Sequence, residues 1–215
     1  MSGTRNQEAM AFIASALSYG SRKQFMQKID AILQHTSGNV DAWVRGGHFN
    51  HMFHATDGTC FYRLYTHAEM HRFLCAYHTL LAEHGTLGDY VHRQATCGIE
   101  AVAAICRFFS MHNVGVIPHD TQSACKRVCM FLRWMCRKDS PVDLGLWSDF
   151  IDRRTLIMPL DTHVLQQSVR LGLLRSKTAN MSTAIRLTHS LSEIFPDDPL
   201  KADFALFGYG VSHAG

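Results

Sequence analysis

Residues 123–138 read SACKRVCMFLRWMCRK, and their periodicity decides the fold class. At a helical turn of about 100° per residue, Lys126, Arg133 and Arg137 fall within about 40° of one another. Val128, Phe131, Leu132 and Met135 lie on the opposite side, and Cys125, Cys129 and Cys136 line one flank. The pattern predicts a helix that buries an apolar face and aims three cations outward along one stripe. A solvated basic face is one reading of such a stripe. A phosphate-facing stripe with one lysine in a site is the other.

The same period runs outward through most of the chain. Met10, Phe12, Ile13, Ala16 and Leu17 mark a helix over residues 8–17, Gly20 interrupts it, and Phe25, Ile29, Ile32 and Leu33 resume it. Residues 36–65 are rich in Gly, His, Asn and aromatics and read as loops and short turns. Thr66 and Glu69 form a capping-box pattern ahead of Met70, Phe73, Leu74, Tyr77, Leu80 and Leu81. A further apolar stretch runs from Gly98 to Phe109 and is broken by Gly115 and Pro118. Asp120 or Thr121 is expected to cap the helix that reaches about Cys136, and Ser140, Pro141 and Asp143 form another start signal. Asp161 opens a helix through Val164, Leu165, Val169 and Leu171 that stops near Gly172; Asp198 and Pro199 open the last one. No run of alternating polarity predicts a strand. The expected class is all-α, a two-lobed helical bundle forming a single domain over residues 1–215 with a cleft between the lobes.

Composition agrees with that class. A chain of 215 residues, 47% hydrophobic and 18% charged, has material for a real core. That balance excludes a disordered, collagen-like or coiled-coil chain. Lys+Arg 21 against Asp+Glu 18 leaves +3, a mild bias that does not by itself point to nucleic acid. No apolar run approaches the roughly 18 residues of a membrane span. The opening MSGTRNQEAMAFIASALSYG has no basic leader region or clear cleavage site and is read as a helix of the mature fold. Seven cysteines, several inside helical patterns, are expected to be reduced thiols in a cytoplasmic protein.

A second stretch carries chemistry: MPLDTHVLQQSVRLGLL, residues 158–174. Its plain reading is that Asp161 caps a helix, worth about 1 kcal/mol. A cap carboxylate is also held rigid and ionised by the helix N-terminus, with one oxygen left free. The motif Pro159-Leu160-Asp161-Thr162-His163-Val164, followed by Arg170-Leu171-Gly172-Leu173, resembles the D-T-H-V…R-L-G-L signature of helix–hairpin–helix DNA glycosylases. The wider pattern adds S-A-C-K-R-x-x-x-F-L-R-W-M-x-R-K, D-L-G-L-W and D-P-x-K-x-D-F-A-L-F-G. Together, over roughly residues 8–212, these resemble a bacterial family close to the archaeal 8-oxoguanine DNA glycosylases.

That resemblance implies Asp161 as the catalytic carboxylate and Lys126 as the nucleophile of a glycosylase with associated AP lyase activity. It implies Asp203 and Phe207, four apart on the last helix, as contacts to a flipped base, with Tyr19 bordering the pocket. Asp203 paired to a cation and Phe207 in the core are the plain alternatives. Arg127, Arg133, Arg137 and His163 are the expected DNA contacts. The implied substrate is double-stranded DNA with an oxidised purine, 8-oxoguanine first among them. The protein is expected to be a monomer of the nucleoid, without membrane, cofactor or metal.

The sequence also departs from the superfamily. The usual L-P-G-x-G hairpin is replaced by the run from Val116 to Cys125, and the interval from Lys126 to Asp161 is 35 positions. Both features favour the archaeal 8-oxoguanine branch, which has an altered hairpin and a longer insert. No four-cysteine cluster follows Cys136, so no iron–sulfur cluster is expected.

A glycosylase must take its base out of the stack. It then needs a free amine or water at the sugar C1′ and a carboxylate near the developing positive charge. Burial and a neighbouring cation such as Arg127 favour the free amine of Lys126. Two rivals stand beside this reading. One is a nucleic-acid-binding module of the same fold that does not cut. The other is a histidine-dependent metalloprotein, because His67, His71 and His78 share a helix face and His48, His51 and His54 recur every three residues. Yet HAEMH is not H-E-x-x-H, and no cysteine pair has C-x-x-C spacing. Trp43 and Trp147 read as core or interface anchors.

Overall fold

The computed structural model describes residues 2–138 and 140–212. Helix accounts for 62% and strand for 3%, so the all-α class holds. Ten α-helices appear among the described residues: α1 Thr4–Leu17, α2 Arg22–Thr36, α3 Val40–Arg45, α4 His67–His84, α5 Leu87–Gln94, α6 Gly98–Met111, α7 Lys126–Cys136, α8 Thr162–Arg170, α9 Met181–Ile194 and α10 Asp203–Ser212. The chain divides into two compact units. One holds the residues up to Gln94 with Ile105–His119; the other holds Ala95–Ala104 with the residues from Asp120 on.

The first unit is built on an aromatic core. Phe12 of α1 meets Phe73 and Tyr77 of α4 and Phe109 of α6, with ring centroids 5.1 to 5.5 Å apart. The predicted capping box is present: the Thr66 hydroxyl accepts from the Glu69 N–H, and the Glu69 carboxylate accepts from the Thr66 N–H at 2.7 Å. The N-terminus of α5 is capped locally by the Thr86 hydroxyl, which accepts from the Asp89 N–H, and also from afar. The buried Glu8 carboxylate of α1 accepts from the N–H groups of Leu87 and Gly88. Residues 36–65, expected as loops, also contain α3 and a small antiparallel hairpin, β1 Cys60–Tyr62 and β2 Tyr65–Thr66. Tyr19 anchors this hairpin. Its ring packs edge-on against Tyr62 and Tyr65, and its hydroxyl donates to the Tyr62 carbonyl.

The second unit is organised by α7. Val128, Phe131, Leu132 and Met135 are buried, as their spacing predicts, and Phe131 meets the buried Trp147 ring edge-on at 5.1 Å. The helix starts later than expected, at Lys126. Asp120 instead closes a turn by accepting from the Gln122 N–H, and Cys125 stands at the helix boundary with φ 45°. The expected helix start at Ser140–Asp143 is also corrected: residues 143–147 run as turn and loop. Their amides cover the end of α7, with Leu144 and Gly145 donating to the Trp134 carbonyl and Trp147 to that of Met135. These contacts satisfy carbonyls that a helix C-terminus otherwise leaves open. Helix α9, not anticipated from sequence, is capped by Asn180, whose side chain accepts from the Thr183 N–H. Helix α10 crosses α8 at Gly210. A Cβ there would stand 2.9 Å from the His163 Cβ, so only glycine permits this approach.

Candidate functional site

Helices α7, α8 and α10 bring Lys126, Asp161 and Phe207 together. Lys126 is the first residue of α7, and Asp161 is the cap of α8. The carboxylate divides its work. Oδ1 accepts from the Val164 N–H at 2.8 Å, while Oδ2 stands 3.0 Å from Lys126 Nζ. The cap thus leaves one oxygen free for the lysine. The amine and the free carboxylate oxygen are thus within hydrogen-bond reach of each other. Lys126 remains 32% exposed, which leaves the amine open to a reactant.

Phe207 completes this side of the site. Lys126 Nζ lies 5.6 Å from its ring centroid, and the His163 ring meets it edge-on at 6.1 Å. Phe207 is 40% exposed, so it is not a core residue. A large aromatic face held open beside an amine can stack a planar ring.

Asp203, one turn earlier on α10, is buried, and one of its two oxygens is engaged. Its Oδ2 accepts from Arg133 Nη1 at 2.8 Å. Burial pushes its carboxyl above the usual carboxylate range; Arg133 pulls it back, the Asp161 charge adds to the rise, and Lys126 lowers it. Asp203 therefore senses both members of the lysine–aspartate pair.

The outward basic stripe expected on α7 is corrected beyond its first residue. Arg133 is only 3% exposed and lies under the Phe204 ring, with Cζ 4.0 Å from the centroid. Arg137 is also buried; it grips Asp198 through Nε and Nη2 and donates from Nη1 to Asp143 at 2.7 Å. Asp143 also stands 3.4 Å from Arg133 Nη2. The result is a chain of charges, Asp203–Arg133–Asp143–Arg137–Asp198. Buried cations need carboxylates, and three aspartates supply them. Neither arginine is free for a phosphate. His163 is half-buried, with its Nδ1 enclosed and its Cβ against Gly210. Arg127 is half-buried on the first turn of α7. Tyr19 belongs to the first unit, where it packs against the hairpin described above.

Sequence reading missed Asp143 and Asp198 as counter-ions and Phe204 as the cover of Arg133. Two arginines four apart on one helix face were a signal that carboxylates were needed, but not of which ones. The aligned histidines are each used locally: His67 and His78 bond the carbonyls of Met52 and Val44, and His71 bonds Asn50. Among the described residues, no three His, Cys, Asp or Glu side chains are placed to hold a metal ion. A separate cavity of about 660 Å³ is lined by Gln167, Arg170, Leu171, Leu191, Leu206 and Tyr209 and includes none of the site residues. No described helix is long and apolar enough to cross a membrane.

No curated protein and no solved structure matches the chain. A family described as "Protein of unknown function (DUF2400)" matches residues 1–212, and the chain belongs to that family.

Proposed function

We propose that this protein is a DNA N-glycosylase with AP lyase activity that excises an oxidised purine, 8-oxoguanine first among them. The observation that carries the reading is the Lys126–Asp161 pair, 3.0 Å apart, with the second carboxylate oxygen held by the α8 N-terminus. The target nucleotide leaves the stack so that its sugar can be reached. Asp161 takes a proton from the lysine, and the free amine attacks C1′. The C1′–N bond breaks, and the base departs with the electron pair and gains a proton. Opening of the sugar ring then gives a Schiff base between Nζ and C1′, from which elimination cleaves the strand. Phe207 stacks on the extruded base. Asp203 contacts its N–H groups through the oxygen not bonded to Arg133. The partner in this reading is double-stranded DNA, met by a monomer in the nucleoid.

A binding module that does not cut is the second reading. It is favoured by residues 116–125, where no G-x-G hairpin precedes α7. Borohydride trapping separates the two. The native chain is expected to form a covalent adduct with an 8-oxoguanine duplex, and Lys126→Gln to form none. An adduct that survives in Lys126→Gln removes the lysine from its role. No adduct on either an 8-oxoguanine or an abasic duplex leaves the binding module.

A further inference from the structure

The five-charge chain behind the site is unlike the rest of the core. Replacing buried ion pairs with apolar residues of similar size is commonly neutral or stabilising, so stability alone is a weak reason for them. Their placement is more informative. Lys126 and Arg133 are seven residues apart and therefore stand on one face of α7, two turns from each other. Helix α10 answers both. Asp203 and Phe204 hold Arg133, and Phe207 covers the Lys126 amine. The segment that leads into α10 is stapled at its other end by Asp198 to Arg137. Arg133 Nε has no hydrogen-bond partner, and its Nη2 has only the 3.4 Å approach to Asp143. Its one good bond is thus the bond to Asp203.

We propose that Arg133 is a positioning residue for the Lys126–Asp161 pair. By neutralising Asp203 it prevents a second carboxylate from holding Lys126 as the ammonium ion, and by fixing the first turn of α10 it keeps Phe207 over the amine. The inference rests on reading Lys126 as the reacting amine. The charged groups in play are Asp161 on α8, Asp203 on α10, Arg127 and Arg133 on α7 itself, and Asp143, Arg137 and Asp198 behind them. Raised by burial, the Asp203 carboxyl is drawn back toward its ordinary range chiefly by Arg133; in the alkaline range where a lysine titrates it is a carboxylate, and its negative charge is left uncompensated when the guanidinium is lost.

The test reads the lysine without DNA. Reductive ¹³C-methylation labels the amines, and the Lys126 resonance is assigned by its loss in Lys126→Gln. In Arg133→Met its titration midpoint should rise by about one pH unit, the scale of one nearby opposite charge. Arg133→Lys, which keeps the charge, should leave it unchanged. Arg133→Met/Asp203→Asn should restore it. If Arg133→Met does not fold, Arg133→Gln retains a donor for Asp203 and carries the same expectation, and the double variant removes both buried charges together. A midpoint that stays put in Arg133→Met or Arg133→Gln overturns the inference, as does a double variant that fails to restore it. Borohydride trapping on an abasic duplex is run in parallel. A midpoint that moves in a protein forming no adduct overturns the functional reading and leaves the inference standing. A trapping rate that falls equally at every pH, with no change in the profile, marks Arg133 as merely structural and overturns it.

Discussion

The two ends of α7 carry the same kind of residue on the same stripe and treat it in opposite ways. At the first turn, Lys126 has one carboxylate at 3.0 Å and keeps part of its surface in solvent. Two turns on, Arg133 and Arg137 are buried and share three aspartates. A lone, half-open ion pair contributes little to stability and leaves a proton free to move. A closed network holds elements in register and leaves nothing free. The difference separates chemistry from scaffolding along a single helix.

Breaking the scaffold end should have the largest effect. Asp143→Ala strips the carboxylate shared by both arginines and is expected to cost about 3–5 kcal/mol, because buried guanidinium groups lose their counter-ion. Lys126→Met at the other end should cost less than about 1 kcal/mol. Urea denaturation of both variants checks the contrast, and equal losses would erase it.

The next test divides the roles of one carboxylate. Asp161→Asn keeps an acceptor for the Val164 N–H, so its stability should stay within about 0.5 kcal/mol of the native chain. Its trapping rate should fall by about 100-fold or more, since an amide takes no proton. Asp161→Ala should lose the same rate and about 1 kcal/mol of stability besides.

The smallest effect sharpens the comparison through pH. Asp203 has a carboxyl raised above its unfolded value, so the native state holds its proton more tightly than the unfolded chain. Its contribution therefore favours folding most at low pH and weakens as pH rises from the unfolded value, about 4, through the folded one. Stability curves of the native chain and Asp203→Asn should diverge in that sense across the acid range. Parallel curves would mean that Asp203 is no more perturbed than a surface carboxylate.

What could be read from the sequence follows the range of the interaction. The apolar face of α7, the Thr66–Glu69 capping box and the Asp161 cap are local patterns, whose neighbouring members lie within four residues of each other, and each appears as expected. The Lys126–Asp161 pair was legible only through the resemblance of two motifs. Helix α5 was missed although Thr86 caps it locally by accepting from the Asp89 N–H; only its second cap, Glu8, lies nearly eighty residues away in the chain. The hairpin at 60–66 was missed because strands of three and two residues have no period to read, and what fixes them is Tyr19 from outside. The stripe on α7 was placed correctly but its surroundings were misjudged. Periodicity says which side chains share a face and is silent on what covers that face. Asp143 shows the cost of a local reading: in a start-like S-P-x-D context it resembles a capping acid, and the arginines six and ten positions before it make it a counter-ion because the chain turns back over the end of α7.

The stapling of residues 198–203 has a consequence for any genetic study of this protein. Local opening of that segment would expose or orphan buried charges on α7, so it and α7 should unfold as one cooperative unit. A substitution at Asp198, far in sequence from the reactive pair, would then lower the amount of folded protein and disturb the site in the same stroke. Loss of a cellular phenotype in such a strain would say little about chemistry until protein abundance had been measured beside it.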